Sequence, residues 1–183
     1  MPSPRRVVTG VDDAGRSVVL SDGPSPNSHD FTHIPGMGTT LVWATVREDG
    51  KAYAGDDPTP AVTRDLPGPG ETRFLIVRFP PEAVYADPGF DAAAARAETR
   101  RVSPDLAERF EPDHPGMHAT DTLDYMIVLD GEIHLELDDG ATVALKTGDV
   151  VVQCANRHAW RNPGATPVTL GVVQVGRRET QHP

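Results

Sequence analysis

The chain has 183 residues, a length that fits one substantial domain, and its formal net charge is -10. This acidic balance disfavours a nucleic-acid partner, because affinity for phosphates rests on clustered Lys and Arg. No apolar run approaches the roughly 20 residues that span a bilayer, so we expect a cytoplasmic protein with no membrane partner. The chain contains 17 Gly and 18 Pro, which is typical of short strands joined by turns and predicts an all-β fold.

The N-terminal part of the sequence predicts strands and loops. Two β-branched runs, at 6–9 and 17–20, flank turn-forming residues and predict a hairpin. A further strand is expected over 39–46, and the polar, proline-rich residues 48–70 predict a loop. Residues 1–70 are therefore predicted to form an arm that packs on the rest of the fold or on a partner subunit.

The C-terminal part is predicted to form the body of an antiparallel fold. A strand over 71–79 ends at two prolines, which cannot donate to a sheet ladder, and short helices are expected over 91–99 and 103–110. Later strands are expected at 123–129, 132–137, 142–145, 150–153 and 168–175. Tight Gly and Asp turns join them, which predicts a meander or jelly roll. The barrel then spans 71–176, with a tail over 177–183.

Two segments carry most of the candidate chemistry. The first contains His118, Thr120 and Asp124 with Gly131 downstream, and the second is a Gly-Asp strand that leads to His158 and Asn162. Together they resemble the two motifs of the cupin family, which are His-x-His with an acidic residue and a glycine, then Gly-Asp, His and Asn. The resemblance implies a double-stranded β-helix, or jelly-roll, barrel.

The resemblance also implies that His118, Asp124 and His158 face inward and hold a divalent metal. Thr120 departs from the pattern, because it stands where the second histidine is expected. Two imidazoles and one carboxylate match the facial triad that leaves open positions on iron(II); zinc, manganese or nickel are alternatives, and so is a site without metal. His114, four residues before His118, is a substitute ligand candidate.

Strand periodicity predicts how the first motif is arranged. Alternate residues share a face, so His118 and Thr120 should both point inward before a turn brings Asp124 back on the adjacent strand. Thr120 could then hydrogen-bond a metal-bound water or the substrate.

The expected function is a metal-dependent enzyme acting on a small aromatic or polyketide-like acid or enol, by oxygenation, decarboxylation, isomerisation or dehydration. Tyr125 and Trp160 are candidate pocket walls, and Arg73 is a candidate carboxylate clamp. One alternative is a metal-free acid–base dehydratase or isomerase in which Asp124 lies beside His158. Another is a metal-free binding or sensing protein. The resemblance further implies a homodimer that pairs through N-terminal strands, with 39–46 as the candidate.

Overall fold

The computed structural model describes residues 3–46 and 57–177, which form antiparallel sheets with two short helices. The strands are β1 (Arg5–Val11), β2 (Ser17–Pro24), β3 (Asn27–Asp30), β4 (Gly38–Thr45), β5 (Thr72–Phe79), β6 (Thr122–Asp130), β7 (Glu132–Glu136), β8 (Thr142–Lys146), β9 (Val150–Cys154), β10 (Ala159–Arg161) and β11 (Val168–Gly176). The helices are α1 (Ala92–Val102) and α2 (Pro104–Ala107).

The strands form one large and two small sheets. The large sheet has six strands in the order β3-β4-β5-β11-β6-β9, a second sheet has the order β10-β7-β8, and β1 pairs with β2 alone. Every described strand pairing is antiparallel, as expected for short turns between consecutive strands. The predicted all-β jelly-roll class is confirmed.

The main core lies between the six-stranded and the three-stranded sheet. Its buried residues come from both sheets: Val128, Ile133, Val168, Leu170 and Val172. In β6 and β11 the buried side chains alternate with more exposed ones, because successive residues of a strand point to opposite faces. This alternation decides which polar residues of β6 and β11 enter the interior.

Helix α1 holds the N-terminal loop against the body of the protein. Asp91 caps the helix by accepting hydrogen bonds from the amides of Ala93 and Ala94, as its position before the alanine run predicts. On the buried face of α1, the carboxylate of Glu98 accepts hydrogen bonds from the amides of Thr32 and His33. The ring of His29 also bonds to Glu98, at 3.0 Å.

The predicted elements compare closely with the observed ones. The hairpin, the two helices and the strands from β4 to β9 and β11 are present, whereas β3 and β10 were not predicted. The strand expected over 39–46 finds its partners within the chain, because β4 pairs with β3 and β5. The division at residue 70 stays a prediction. No helix within the described ranges is long and apolar enough to cross a membrane.

Candidate functional site

A row of polar side chains crosses the inner face of the large sheet. Arg73, Gln174, Asp124 and Gln153 are partners on the neighbouring strands β5, β11, β6 and β9. All four are buried, with exposed fractions between 2% and 9%. The next inward positions on β6 and β11 are Met126 and Val172, which contribute to the apolar core. The polar row therefore marks the boundary between the core and a polar part of the interior.

His118 and His158 form a closely packed pair whose ring planes are tilted by 50°. Their backbones form an antiparallel bridge, in which each amide donates to the other residue's carbonyl at 3.0 and 2.9 Å. Because such cross-strand partners project to the same side, the ring centroids lie 4.4 Å apart. Phe110 packs edge-on against His118 at 5.2 Å, and Trp160 lies 6.2 Å from the ring of His158.

The hydrogen bonds of the pair determine which ring nitrogens remain available. Nδ1 of His118 bonds to the carbonyl oxygen of Gly116 at 2.9 Å, and Nδ1 of His158 bonds to that of Asn156 at 3.0 Å. A carbonyl oxygen only accepts, so each Nδ1 carries the proton. In the neutral rings both Nε2 atoms are then unprotonated, and each can accept a proton or bind a metal ion.

Burial keeps both rings neutral. Desolvation lowers the pKa of His118, and desolvation together with the neighbouring His118 lowers the pKa of His158 to about 4. Desolvation dominates in both cases because the charged imidazolium loses more hydration than the neutral ring. At neutral pH the pair is therefore uncharged.

A tight turn after β9 places His158. Ala155 has a φ of 54°, a left-handed conformation that is uncommon for a residue with a Cβ. The side chain of Asn156 accepts a hydrogen bond from the amide of Cys154 at 3.1 Å and closes the turn. Arg157 then anchors it through two short bonds to the carboxylate of Glu111. The strained turn and the ion pair together fix the direction of His158.

The segment before His118 is held by its own network. His114 bonds to Glu136 at 2.8 Å, and Arg161 bonds to the same carboxylate and to the carbonyl of Pro115. The ring of His114 is therefore bonded to Glu136 of β7. None of its contacts supports a role as a metal ligand together with His118 and His158.

The run from His118 to Asp124 differs from the predicted arrangement. Buried and exposed residues alternate continuously from Ala119 to Asp124, so the motif enters β6 without returning on another strand. Thr120 and Thr122 lie between the two ends, buried, with their hydroxyl oxygens 2.7 Å apart. The carboxyl of Asp124 makes no hydrogen bond or ion pair with either imidazole of the pair. Asp124 and His158 are therefore not hydrogen-bonded to each other, and their joint acid–base role stays a prediction.

Of the three predicted metal ligands, His118 and His158 are suitable donors, whereas Asp124 is not grouped with them. The paired Nε2 atoms of His118 and His158 are suitable donors, and their Nδ1–carbonyl bonds resemble those that orient metal-bound histidines. Within residues 3–46 and 57–177, however, no three or more His, Cys, Asp or Glu side chains are grouped to hold a metal ion. The set with Asp124 is not assembled.

The surroundings of Asp124 favour its neutral form. Desolvation raises the pKa of Asp124, and hydrogen bonds from Thr122 and Gln174 offset only part of that effect. Gln174 donates to Oδ2 at 3.4 Å, whereas Oδ1 is buried without a partner among the described residues.

The predicted substrate-binding residues have different outcomes. Tyr125 follows the inward Asp124, so it lies on the outer face of β6 and is 50% exposed, and the prediction that it walls the pocket is corrected. Trp160 faces the interior between His158 and the core cluster. The guanidinium of Arg73 donates to three backbone carbonyls and to Glu71, so its role as a substrate clamp is also corrected.

Three further residues were not predicted for the site or had another expected role. Gln153 and Gln174 enter the interior row, and the signal available in the sequence was a glutamine within an otherwise apolar strand. Asn162, which completes the second motif, is buried and bonds to the carbonyls of Phe79 and Thr166. It therefore supports the loop that precedes β11.

Similar proteins occur in biosynthetic gene clusters. Phomopsin biosynthesis cluster protein C' of Diaporthe leptostromiformis is 54% identical over 50 residues, 27% of this chain and 26% of that protein. Oryzines biosynthesis cluster protein J of Aspergillus oryzae is 42% identical over 62 residues, 32% and 35% of the two chains. The cupin-domain-containing oxidoreductase virC of Hypocrea virens is 48% identical over 46 residues, which are 25% of this chain and 24% of that protein. The matched segments thus span about a quarter to a third of these relatives.

Solved structures are more distant. A putative ethanolamine utilization protein of Salmonella typhimurium is 12% identical with a TM-score of 0.42, over 97% of this chain and all (100%) of that one. An RmlC-like cupin of Methanocaldococcus jannaschii is 16% identical with a TM-score of 0.38, and the match covers 73% of this chain and 88% of that one.

The family comparison covers the part of the chain that carries both histidines and the polar row on β6, β9 and β11. Residues 108–174 match the family model described as a cupin domain. They include His118, Asp124 and His158, together with all strands from β6 to β10 and most of β11. Residues 108–174 are therefore similar to a cupin domain, and the candidate site lies within this matched segment.

Proposed function

We propose that the protein is a biosynthetic enzyme that moves a proton on a small organic molecule bound inside the cupin domain. One observation carries the proposal: two neutral imidazoles lie in contact, and each has its Nε2 unprotonated while Nδ1 is held by a carbonyl. Such a ring is in the unprotonated form that a general base requires. The names of the relatives, which refer to biosynthesis clusters, support a role in making a small molecule.

The proton transfer follows from the geometry of His158. Its Nε2 takes a proton from an acidic carbon of the substrate, and the C–H electron pair forms a new double bond. The proton on Nδ1 stays bonded to the carbonyl of Asn156, which stabilises the transient imidazolium. Return of the proton to another substrate atom gives an isomerisation, and its departure with a substrate hydroxyl as water gives a dehydration.

Nitrobenzisoxazole provides a test that needs no knowledge of the natural substrate. A base removes its ring proton, the C–H pair completes a nitrile, and the N–O bond breaks to give a coloured phenolate. We expect the protein to open this ring faster than free imidazole at equal concentration. His158→Asn retains a donor for the Asn156 carbonyl but lacks Nε2, and we expect at least a tenfold loss of rate, equivalent to about 1.4 kcal/mol.

The matched control is His134→Asn. His134 lies on β7 between the core residues Ile133 and Leu135, so its ring points to the opposite face. Its substitution should leave the rate unchanged. Equal losses in the two variants, or no rate above free imidazole in the wild-type protein, would contradict the proposed function.

A second candidate function is that of a metalloenzyme, favoured by the carbonyl-oriented Nδ1 atoms of both rings. His118 and His158 would hold the ion through Nε2, and an ion there would supply Lewis-acid or redox chemistry at its open positions. The relative named as an oxidoreductase is compatible with this candidate.

Elemental mass spectrometry after separate reconstitution with iron(II), zinc, manganese and nickel tests this candidate. Stoichiometric metal that is lost in both His118→Ala and His158→Ala would support it. Metal below stoichiometry in the wild-type protein with every ion would rule it out.

A further inference from the structure

Two buried polar atoms without a hydrogen-bond partner belong to paired residues of adjacent strands. Oδ1 of Asp124 and Nε2 of Gln153 make no hydrogen bond among the described residues. The two residues are direct partners across β6 and β9, and they are 2% and 4% exposed. Leaving a buried donor and a buried acceptor unpaired is costly in free energy, so an absent partner is expected at this position.

The surrounding side chains leave only these two atoms available. On the other side of Asp124, Gln174 already donates to Oδ2 at 3.4 Å. Arg73, the next member of the row, uses its guanidinium on backbone carbonyls and Glu71. The hydroxyls of Thr120 and Thr122 bond to each other, and Thr122 also interacts with the Asp124 carboxyl. The available set is therefore one amide donor beside one carboxyl oxygen.

The other unpaired buried atoms do not form such a pair. Within the described residues they are Nδ2 of Asn27, on β3, and Oγ1 of Thr169, on β11. Thr169 lies between the core residues Val168 and Leu170, so its side chain points away from the core face of β11. Only Asp124 and Gln153 place an unpaired donor and acceptor on facing residues of adjacent strands.

We propose that Gln153 and Asp124 together recognise a primary amide or a lactam of the substrate, in which the oxygen and an N–H lie on the same side. The amide oxygen accepts from Nε2 of Gln153, and the amide N–H donates to Oδ1 of Asp124. A carboxylate and a tertiary amide both lack the N–H that would donate to Oδ1. The proposal rests on the proposed function only in that a small molecule occupies the domain.

Binding of three related probes at neutral pH tests the proposal by calorimetry. Benzamide has both the acceptor and the donor, N,N-dimethylbenzamide has only the acceptor, and benzoate has two acceptors with a negative charge. We expect benzamide to bind at least tenfold more tightly than the other two. Gln153→Met preserves length and apolar packing but lacks the donor, and we expect at least a tenfold weaker affinity for benzamide.

The matched control is Thr169→Val, which removes the unpaired hydroxyl outside the site and should leave benzamide affinity unchanged. Melting curves separate recognition from a structural role. Loss of an unpaired donor should leave the melting temperature of Gln153→Met unchanged or higher, whereas a structural glutamine would lower it. In ¹⁵N-labelled wild-type protein, benzamide should also shift the side-chain amide signal of Gln153, a result that needs no variant.

Three results would overturn the proposal: no binding of benzamide, tighter binding of benzoate than of benzamide, or unchanged benzamide affinity in Gln153→Met. These results are separate from the ring-opening test of His158. Benzamide binding that depends on Gln153, without base catalysis, would preserve this inference and reject only the proposed function.

Discussion

At the scale of single residues, the neutral state of His158 links stability to pH. Its ordinary pKa is 6.5 and its folded-state pKa is about 4, so between these values the unfolded chain binds more protons than the folded one. Stability should therefore fall as the pH decreases from 6.5 to 4 and then level off. The shift corresponds to roughly 3 kcal/mol.

The variant His158→Asn should weaken this pH dependence because it removes the titrating group. Urea unfolding of both proteins at several pH values between 6.5 and 4 measures the difference. Equal slopes of stability against pH in the two proteins would mean that His158 is not held neutral.

Glu98 links stability to pH in the same direction as His158, but in a lower pH window. Burial acts to raise its pKa, but hydrogen bonds from the amides of Thr32 and His33 and from the ring of His29 lower it to about 2. The stabilisation is present above the ordinary pKa of 4.5 and is lost as the pH falls towards 2. We expect Glu98→Gln to lower the free energy of unfolding by about 2 kcal/mol at neutral pH, because it weakens charge-assisted bonds.

Chemical denaturation measures the effect of Glu98→Gln, and Glu132→Gln, at an exposed position on β7, is the matched control. A loss no greater than that of the control would show that the carboxylate does not hold the N-terminal loop.

Some residue roles could be predicted from the sequence and others could not. The motifs identify His118, Asp124 and His158, and the strand period places Tyr125 on the face opposite Asp124. That Asp124 bonds to neither imidazole could not be predicted, because it depends on the path of the chain between His118 and β6. The pairing of Asp124 with Gln153 also depends on register, which requires the observed partners of β6 and β9.

At the scale of elements, the turn between β9 and β10 contains a strained backbone residue close to His158. Ala155 has a φ of 54°, and glycine adopts this conformation without the Cβ penalty. We expect Ala155→Gly to raise the free energy of unfolding by about 0.5–1 kcal/mol, as relief of strain exceeds the added entropy of the unfolded chain.

Guanidinium unfolding measures this change, with Ala144→Gly in β8 as the matched control. Ala144 lies in a regular strand, so its substitution should lower stability. A decrease of similar size in both variants would indicate that Ala155 is not strained.

Some strands can be predicted from local sequence patterns, whereas others depend on contacts with distant parts of the chain. Long alternating runs such as β6 and β11 are predictable, because their apolar period is visible in the sequence. The strands β3 and β10 have four and three residues. Segments this short have little periodicity, and they become strands because β4 and β7 lie beside them.

At the scale of the whole molecule, the homodimer stays a prediction. The resemblance implies the homodimer with 39–46 as the candidate pairing strand, but β4 already has partners on both sides. The outer face of the large sheet gives another reason. It exposes apolar side chains on neighbouring strands, with Tyr125 50%, Val150 70% and Val152 57% exposed. Contiguous exposed apolar patches of this kind mark interaction surfaces.

We expect sedimentation velocity to show a dimer for the wild-type protein and a monomer for Val150→Glu combined with Val152→Glu. Circular dichroism checks that the variant retains its fold. A wild-type protein that remains monomeric at high concentration would contradict the expectation.

The central claim is that His118 and His158 form a neutral pair whose Nε2 atoms are free to accept protons. Long-range ¹H–¹⁵N spectra of protein labelled at histidine report both the tautomer and the charge of each ring, with His118→Ala and His158→Ala for assignment. We predict that both rings are neutral and protonated at Nδ1 at pH 7, with His158 titrating at about 4. Titration of His158 near 6.5, or protonation of its Nε2 in the neutral ring, would contradict the account.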